Sequence, residues 1–115
     1  MREPEKVEIS FWVSAQSNEP VRDFLRDQPK EDRHKLGGDI RKLQYGWPIG
    51  MPLVRHLGSG LWEMRSSLAS KREVRILFAT QNDKLVFLHG FVKKSRKPPE
   101  ADLSLARRRL KEMKS

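Results

Sequence analysis

Apolar and polar residues alternate along much of the chain, and the period moves from two to about 3.6 and back. Val7, Ile9, Phe11 and Val13 alternate with Glu8, Ser10 and Trp12, which predicts a first strand over Val7–Val13. Ser17-Asn18-Glu19-Pro20 then gives a helix start, with Pro20 near the first helical position. Val21, Phe24 and Leu25 make a short apolar stripe, and Gln28-Pro29 ends that helix. A second helix is predicted from about Pro29 to Tyr45, with Leu36, Ile40 and Leu43 at helical spacing. Gly37-Gly38 falls in its middle. Each glycine costs about 1 kcal/mol relative to alanine. Either the helix is weak there, or a neighbour packs close to its backbone. The two helices are expected to form an antiparallel hairpin lying on a sheet. Their charged positions, among them Asp32, Lys35 and Asp39, read mostly as a solvated face.

Period two returns after the loop Gly46–Pro52, where Gly and Pro exclude regular structure. Trp47, Ile49 and Met51 in that loop are expected to pack against the domain edge. A short strand over Leu53–Leu57 ends at Gly58-Ser59-Gly60. Three further strands follow as a meander, Leu61–Leu68, Arg72–Thr80 and Lys84–Lys93. Ala69-Ser70-Lys71 and Gln81-Asn82-Asp83 supply the turns. Pro98-Pro99 opens a last helix with Glu100 and Asp102 in its first turn, a position the helix dipole favours. Leu103, Ala106, Leu110 and Met113 share one face of it, and its C-terminal half is basic. The predicted class is α+β, a single domain of 115 residues in which an N-terminal helical hairpin covers a sheet and a basic C-terminal helix follows.

Charge and composition narrow the chemistry. Apolar residues make up 37% of the chain and charged residues 34%, so the core is thin. Of the formal net charge of +9, two thirds falls between Lys93 and Ser115. Such asymmetry suits a polyanionic partner, with plain solubility as the alternative. The absence of cysteine excludes disulfide and thiolate chemistry. No apolar run approaches the roughly 20 residues of a membrane span, and the charged start is not followed by a signal-like segment, so a cytoplasmic location is expected. No two histidines have metal-ligand spacing, and neither a metal nor a cofactor is expected.

Short turns fix which side chains meet across the meander. With the first turn centred near Ser70, Arg65 lies opposite Arg75. With the second centred near Asn82, Arg75 lies opposite His89. The three form one row, with Glu63 on the same face. Two arginines opposed across a strand pair are destabilising. The row therefore reads either as a surface Arg–Glu network or as a phosphate cleft, where two guanidiniums clamp a phosphodiester. Lys93, Lys94, Arg96 and Lys97 follow directly after His89, with Lys93 on the His89 face. Arg55 and His56, on the short preceding strand, complete the candidate polyanion contacts. His34 sits among charged helix residues and reads as inert.

Leu61-Trp62-Glu63-Met64-Arg65, Arg72-Glu73-Val74-Arg75-Ile76-Leu77-Phe78 and Leu88-His89-Gly90-Phe91-Val92-Lys93-Lys94, with Pro98 and a basic helix behind them, resemble the phage-derived HigB-like branch of the RelE/ParE toxin superfamily. The resemblance runs from about Phe11 to Met113. It implies two helices packed on a twisted antiparallel β-sheet. It implies the toxin of a type II toxin–antitoxin pair, neutralised by a helix-turn-helix antitoxin of the HigA-like kind, in assemblies that include a heterotetramer. Many relatives cut mRNA on the ribosome without a metal, the message's own 2′-hydroxyl attacking the adjacent phosphate. Carried over, Arg65 and Arg75 bind the phosphate and its transition state, His89 transfers the proton with His56 in reserve, and Lys93 joins the catalytic set. Lys94, Arg96, Lys97, Arg55 and His56 then contact RNA. Two other readings share the fold: a gyrase-inhibiting toxin of the ParE kind, and a non-catalytic RNA-binding module.

Overall fold

The computed structural model describes residues 5–115, and residues 1–4 of the charged start lie outside them. The elements are β1 (Glu8–Phe11), α1 (Pro20–Arg26), α2 (Lys30–Gly46), β2 (Val54–Gly58), β3 (Leu61–Ser67), β4 (Glu73–Gln81), β5 (Lys84–Lys93) and α3 (Glu100–Lys114). Periodicity located each of them to within about two residues at either end. Among the described residues, no helix is long and apolar enough to cross a membrane.

The strands lie in the order β1-β5-β4-β3-β2. From β2 to β5 they form the expected antiparallel meander. The expectation of a wholly antiparallel sheet fails at β1, which runs parallel to β5 with Ile9 beside Leu85 and Phe11 beside Phe87. The cause is the path of the chain. α1 and α2 carry it from β1 across the sheet to the far edge, the crossover that a parallel neighbour requires. Three reversals then bring β5 back beside β1, pointing the same way.

Side chains alternate between the two faces of this sheet. On one face Met64, Val74, Ile76, Phe78, Leu85 and Phe87 pack with Val21 of α1 and with Leu36 and Leu43 of α2. On the other, Leu61, Leu77, Ala79, Val86, Leu88 and Phe91 pack with Ala106 and Leu110 of α3. The basic C-terminal helix is therefore a structural cover. α1 approaches β5 so closely that a Cβ on Gly90 would lie 2.8 Å from the Phe24 ring.

The glycines of α2 behave differently. An added Cβ at Gly37 or Gly38 would meet nothing within 4 Å, and the helix runs through both without a break. Close packing does not explain them; they are two weak positions in an otherwise continuous helix. Two carboxylates read as solvated are in fact buried. Asp32 accepts from Arg72 Nη1 at 3.0 Å and from Ser70, tying the β3–β4 turn to α2. Asp39 accepts from the Ser66 hydroxyl and from Lys35 Nζ at 2.7 Å, tying β3 to α2. In the 46–52 loop, Trp47 stacks edge-on to Trp62 and Phe78, and Ile49 joins the same core. Met51, expected to pack, is exposed instead.

Candidate nucleic-acid interface

Register builds the site. Ser67 pairs with Glu73 across the first turn, so Arg65 stands opposite Arg75. The second turn has only two central residues, Asn82 and Asp83, both at positive φ, and it pairs Gln81 with Lys84. Two-residue hairpin turns favour such angles and such residues. Continued without a break, that register would set Arg75 opposite Gly90 and turn His89 to the far face. A bulge intervenes. The pairing shifts between Leu77 and Phe78, leaving Leu88 without a partner. Leu88 and His89 therefore both face α3. Arg75 pairs with Phe91, and His89 with Leu77. The expected row Arg65–Arg75–His89 is thus corrected to Arg65–Arg75–Phe91, with His89 one pair further along the same face.

α3 stabilises this bulge. Arg109 Nη1 donates 2.7 Å to the Leu88 carbonyl, the oxygen of the unpaired residue, and its guanidinium sits 4.5 Å above the Trp12 ring. Burial, reinforced by neighbouring Arg108, lowers the Arg109 pKa from its ordinary value.

The two opposed arginines are not left to repel each other. Glu63 lies between them, with Arg65 Nε 3.7 Å from one oxygen and Arg75 Nε 4.0 Å from the other. Arg75 Nη1 also donates to Glu73 at 3.2 Å and to the Val74 carbonyl at 3.3 Å. The Ser67 hydroxyl donates to Glu73 as well. That bond, with Arg75 beside it, holds the Glu73 carboxyl below the usual carboxylate range. The Arg75 side chain is 6% exposed and that of Arg65 34%. One guanidinium is fixed inside a carboxylate cage and the other reaches solvent.

His89 is held from α3. Its Nε2 lies 2.6 Å from Asp102 Oδ1, and its ring stacks on Phe91 at 5.5 Å. Sequence reading gave Asp102 only a dipole role. Thirteen residues and an irregular loop separate it from His89, so no local pattern could pair them. Lys93 is engaged by its own loop. Its Nζ donates to the carbonyls of Ser95 at 2.7 Å and Lys97 at 3.1 Å, folding the loop that carries Lys94, Arg96 and Lys97. Those three are exposed, and none has an ion-pair partner among the described residues. Arg55 pairs with Glu63 and so belongs to the arginine face. His56 does not. It pairs with Trp62 and lies 4.2 Å from that ring, on the α2 side. Among the described residues, no three His, Asp or Glu side chains are grouped to hold a metal ion.

Beside Arg65 the surface opens into a groove of about 880 Å³ between α2 and the free edge of β3. The groove exists because the chain leading into β2 stops at Leu53, whose carbonyl accepts from Arg65 N at 2.8 Å, and leaves the edge at Ser67 uncovered. Sequence reading missed it, since its two walls come from segments twenty residues and more apart.

A family model for phage-derived Gp49-like proteins (DUF891) matches residues 23–111, well over half of the chain and all of the face just described. No curated protein matches it. The chain belongs to the phage-derived Gp49-like family, a toxin family of toxin–antitoxin systems.

Proposed function

We propose that this toxin is a ribosome-dependent mRNA endonuclease, cutting the message through its own 2′-hydroxyl. The observation that supports the reading best is the end of the α3-side face beyond that helix, where Arg65 opposes Arg75, with His89 next to it at the margin of α3, held by Asp102. In the reaction the 2′-oxygen forms a bond to phosphorus, and the bond from phosphorus to the 5′-oxygen breaks. Arg65, the exposed guanidinium, binds the non-bridging oxygens and meets the charge that grows on them. Arg75, fixed by Glu63 and Glu73, sets the positive field of the cleft and keeps Glu63 from cancelling Arg65. His89 moves the proton between the two oxygens, with Asp102 fixing its ring. Lys93 acts as a positioning residue by folding the loop. Lys94, Arg96, Lys97 and Arg55 hold the RNA backbone of message or ribosome. A helix-turn-helix antitoxin of the HigA-like kind neutralises the toxin, and a toxin–antitoxin heterotetramer is the assembly this reading expects.

Primer extension on messages from cells expressing the chain tests this. Codon-aligned cuts that depend on translation are the expected result. A DNA-damage response without such cuts would establish the gyrase-inhibiting alternative. RNA binding with neither effect would reduce the protein to a binding module.

A further inference from the structure

We infer that the groove beside Arg65 is a subsite for one unpaired nucleotide of single-stranded RNA, with Tyr45 as the platform on which its base stacks. The inference rests on the reading that this face takes RNA, and it adds where the neighbouring base goes. Three features argue for it. The first is Tyr45 itself, which is 53% exposed. Among the described residues its hydroxyl has no hydrogen-bond partner and its ring no aromatic neighbour. A large π-face left open at the mouth of a groove suits stacking, which every base supports.

The second is the arrangement of charge. Lys35, Asp39 and Lys42 recur at helical spacing along the α2 wall. Asp39 is already satisfied by Ser66 and Lys35, so its carboxylate does not face a ligand as a free anion. Lys42 lies 3.9 Å from Asp39 and is 72% exposed, free to reach a phosphate. Arg65 stands on the opposite wall. Glu73 also lines the groove, but its carboxylate accepts from Ser67 and Arg75, so the groove offers an aromatic platform with Lys42 and Arg65 on either wall to meet the phosphates of a nucleotide. An apolar peptide would make no use of Lys42 or Arg65, whose carboxylate partners lie 3.9 and 3.7 Å away and leave donors open to a phosphate. The third is the floor. Ile49 packs against the core and its Cδ1 would lie 3.1 Å from a Cβ on Gly46, so an apolar, closely packed floor adjoins Tyr45.

The test uses a non-cleavable dinucleotide, ApG with a 2′-O-methyl group on its first ribose, titrated into the purified full chain and followed by NMR. The Tyr45 ring resonances should move upfield as a base stacks. Tyr45→Ala should weaken binding by roughly tenfold, and Tyr45→Phe should keep it. In cells, Tyr45→Ala should relax base preference next to the cut. Tyr45 is half exposed, so an unchanged circular dichroism spectrum is expected and separates loss of binding from loss of fold. Unmoved Tyr45 resonances, together with message cut at the same positions and rate by Tyr45→Ala, would overturn the subsite while leaving the nuclease reading intact. A dinucleotide bound at Tyr45 by a protein that cuts no message would do the reverse. Antitoxin binding lost in Tyr45→Ala, with no dinucleotide bound by either protein, would assign the groove to the antitoxin and overturn the proposal.

Discussion

The two ends of the α3-side sheet face are built from the same three strands and differ in what covers them. At one end Leu61, Leu77, Ala79 and Leu88 lie under Ala106 and Leu110. There the basic residues act as staples: Arg109 fills the bulge at Leu88, Arg107 reaches the carbonyls of Leu57 and Gly58, and Lys114 reaches that of Thr80. At the other end α3 has not yet begun. Arg65, Arg75 and Lys93 lie beyond its cover, and all three touch glutamates or loop carbonyls, with Arg65 held most loosely, 3.7 Å from Glu63. Cover by α3 and side-chain exposure beyond it, and not the density of positive charge, separate structural cations from those that can meet a ligand. The net charge of +9 made the whole C-terminal segment look like an RNA surface; the helix half of it is largely committed to the fold.

The comparison breaks most sharply at Arg75. Arg75→Ala leaves the nearly buried Glu63 facing a lost partner. Removing one member of a buried pair costs about 3 kcal/mol. Toxicity should vanish, and the denaturation midpoint should drop with it, so this variant alone does not separate site from scaffold. Arg109→Ala probes the covered end. It orphans the Leu88 carbonyl and uncovers Trp12, a loss of about 2 kcal/mol. Chemical denaturation should show that loss, while the cut positions on message stay unchanged. If Arg109→Ala retained full stability but altered cutting, the division between the two ends would be wrong. The smallest effect is in acid. The folded-state pKa of Glu73 is lowered by Ser67 and Arg75, so its contribution is present above the ordinary glutamate value of 4.5 and fades as pH falls through and below it. Glu73 is 44% exposed, which screens the effect. Glu73→Gln should lower stability slightly in the neutral region, leave it unchanged in acid, and so flatten the acid limb of a stability-versus-pH curve.

How legible this was depended on distance along the chain. The strands, the helices and the opposition of Arg65 to Arg75 followed from alternation and from a short turn at Ser70. Placing His89 on the arginine face rested on a turn centred one half-residue early, and the Leu88 bulge restored the result by adding a residue. Nothing in Val86-Phe87-Leu88-His89 marks that bulge, because its stabiliser, Arg109, arrives twenty residues later on another element. The same holds for Asp102 against His89, for Asp39 against Ser66, and for the groove. His56 shows the opposite limit. Its neighbour Arg55 faces the site, and strand alternation alone turns His56 away.

The central claim is that the open end of this face cuts RNA. Arg65→Ala tests it most directly, because Arg65 is partly exposed and its removal should shift the melting temperature little. Message-cut mapping of Arg65→Ala against the parent, with melting curves for both, is the measurement. The account predicts that codon-aligned cuts disappear while the melting curve stays in place. Cuts persisting at the parent's rate in a fully folded Arg65→Ala protein would contradict it.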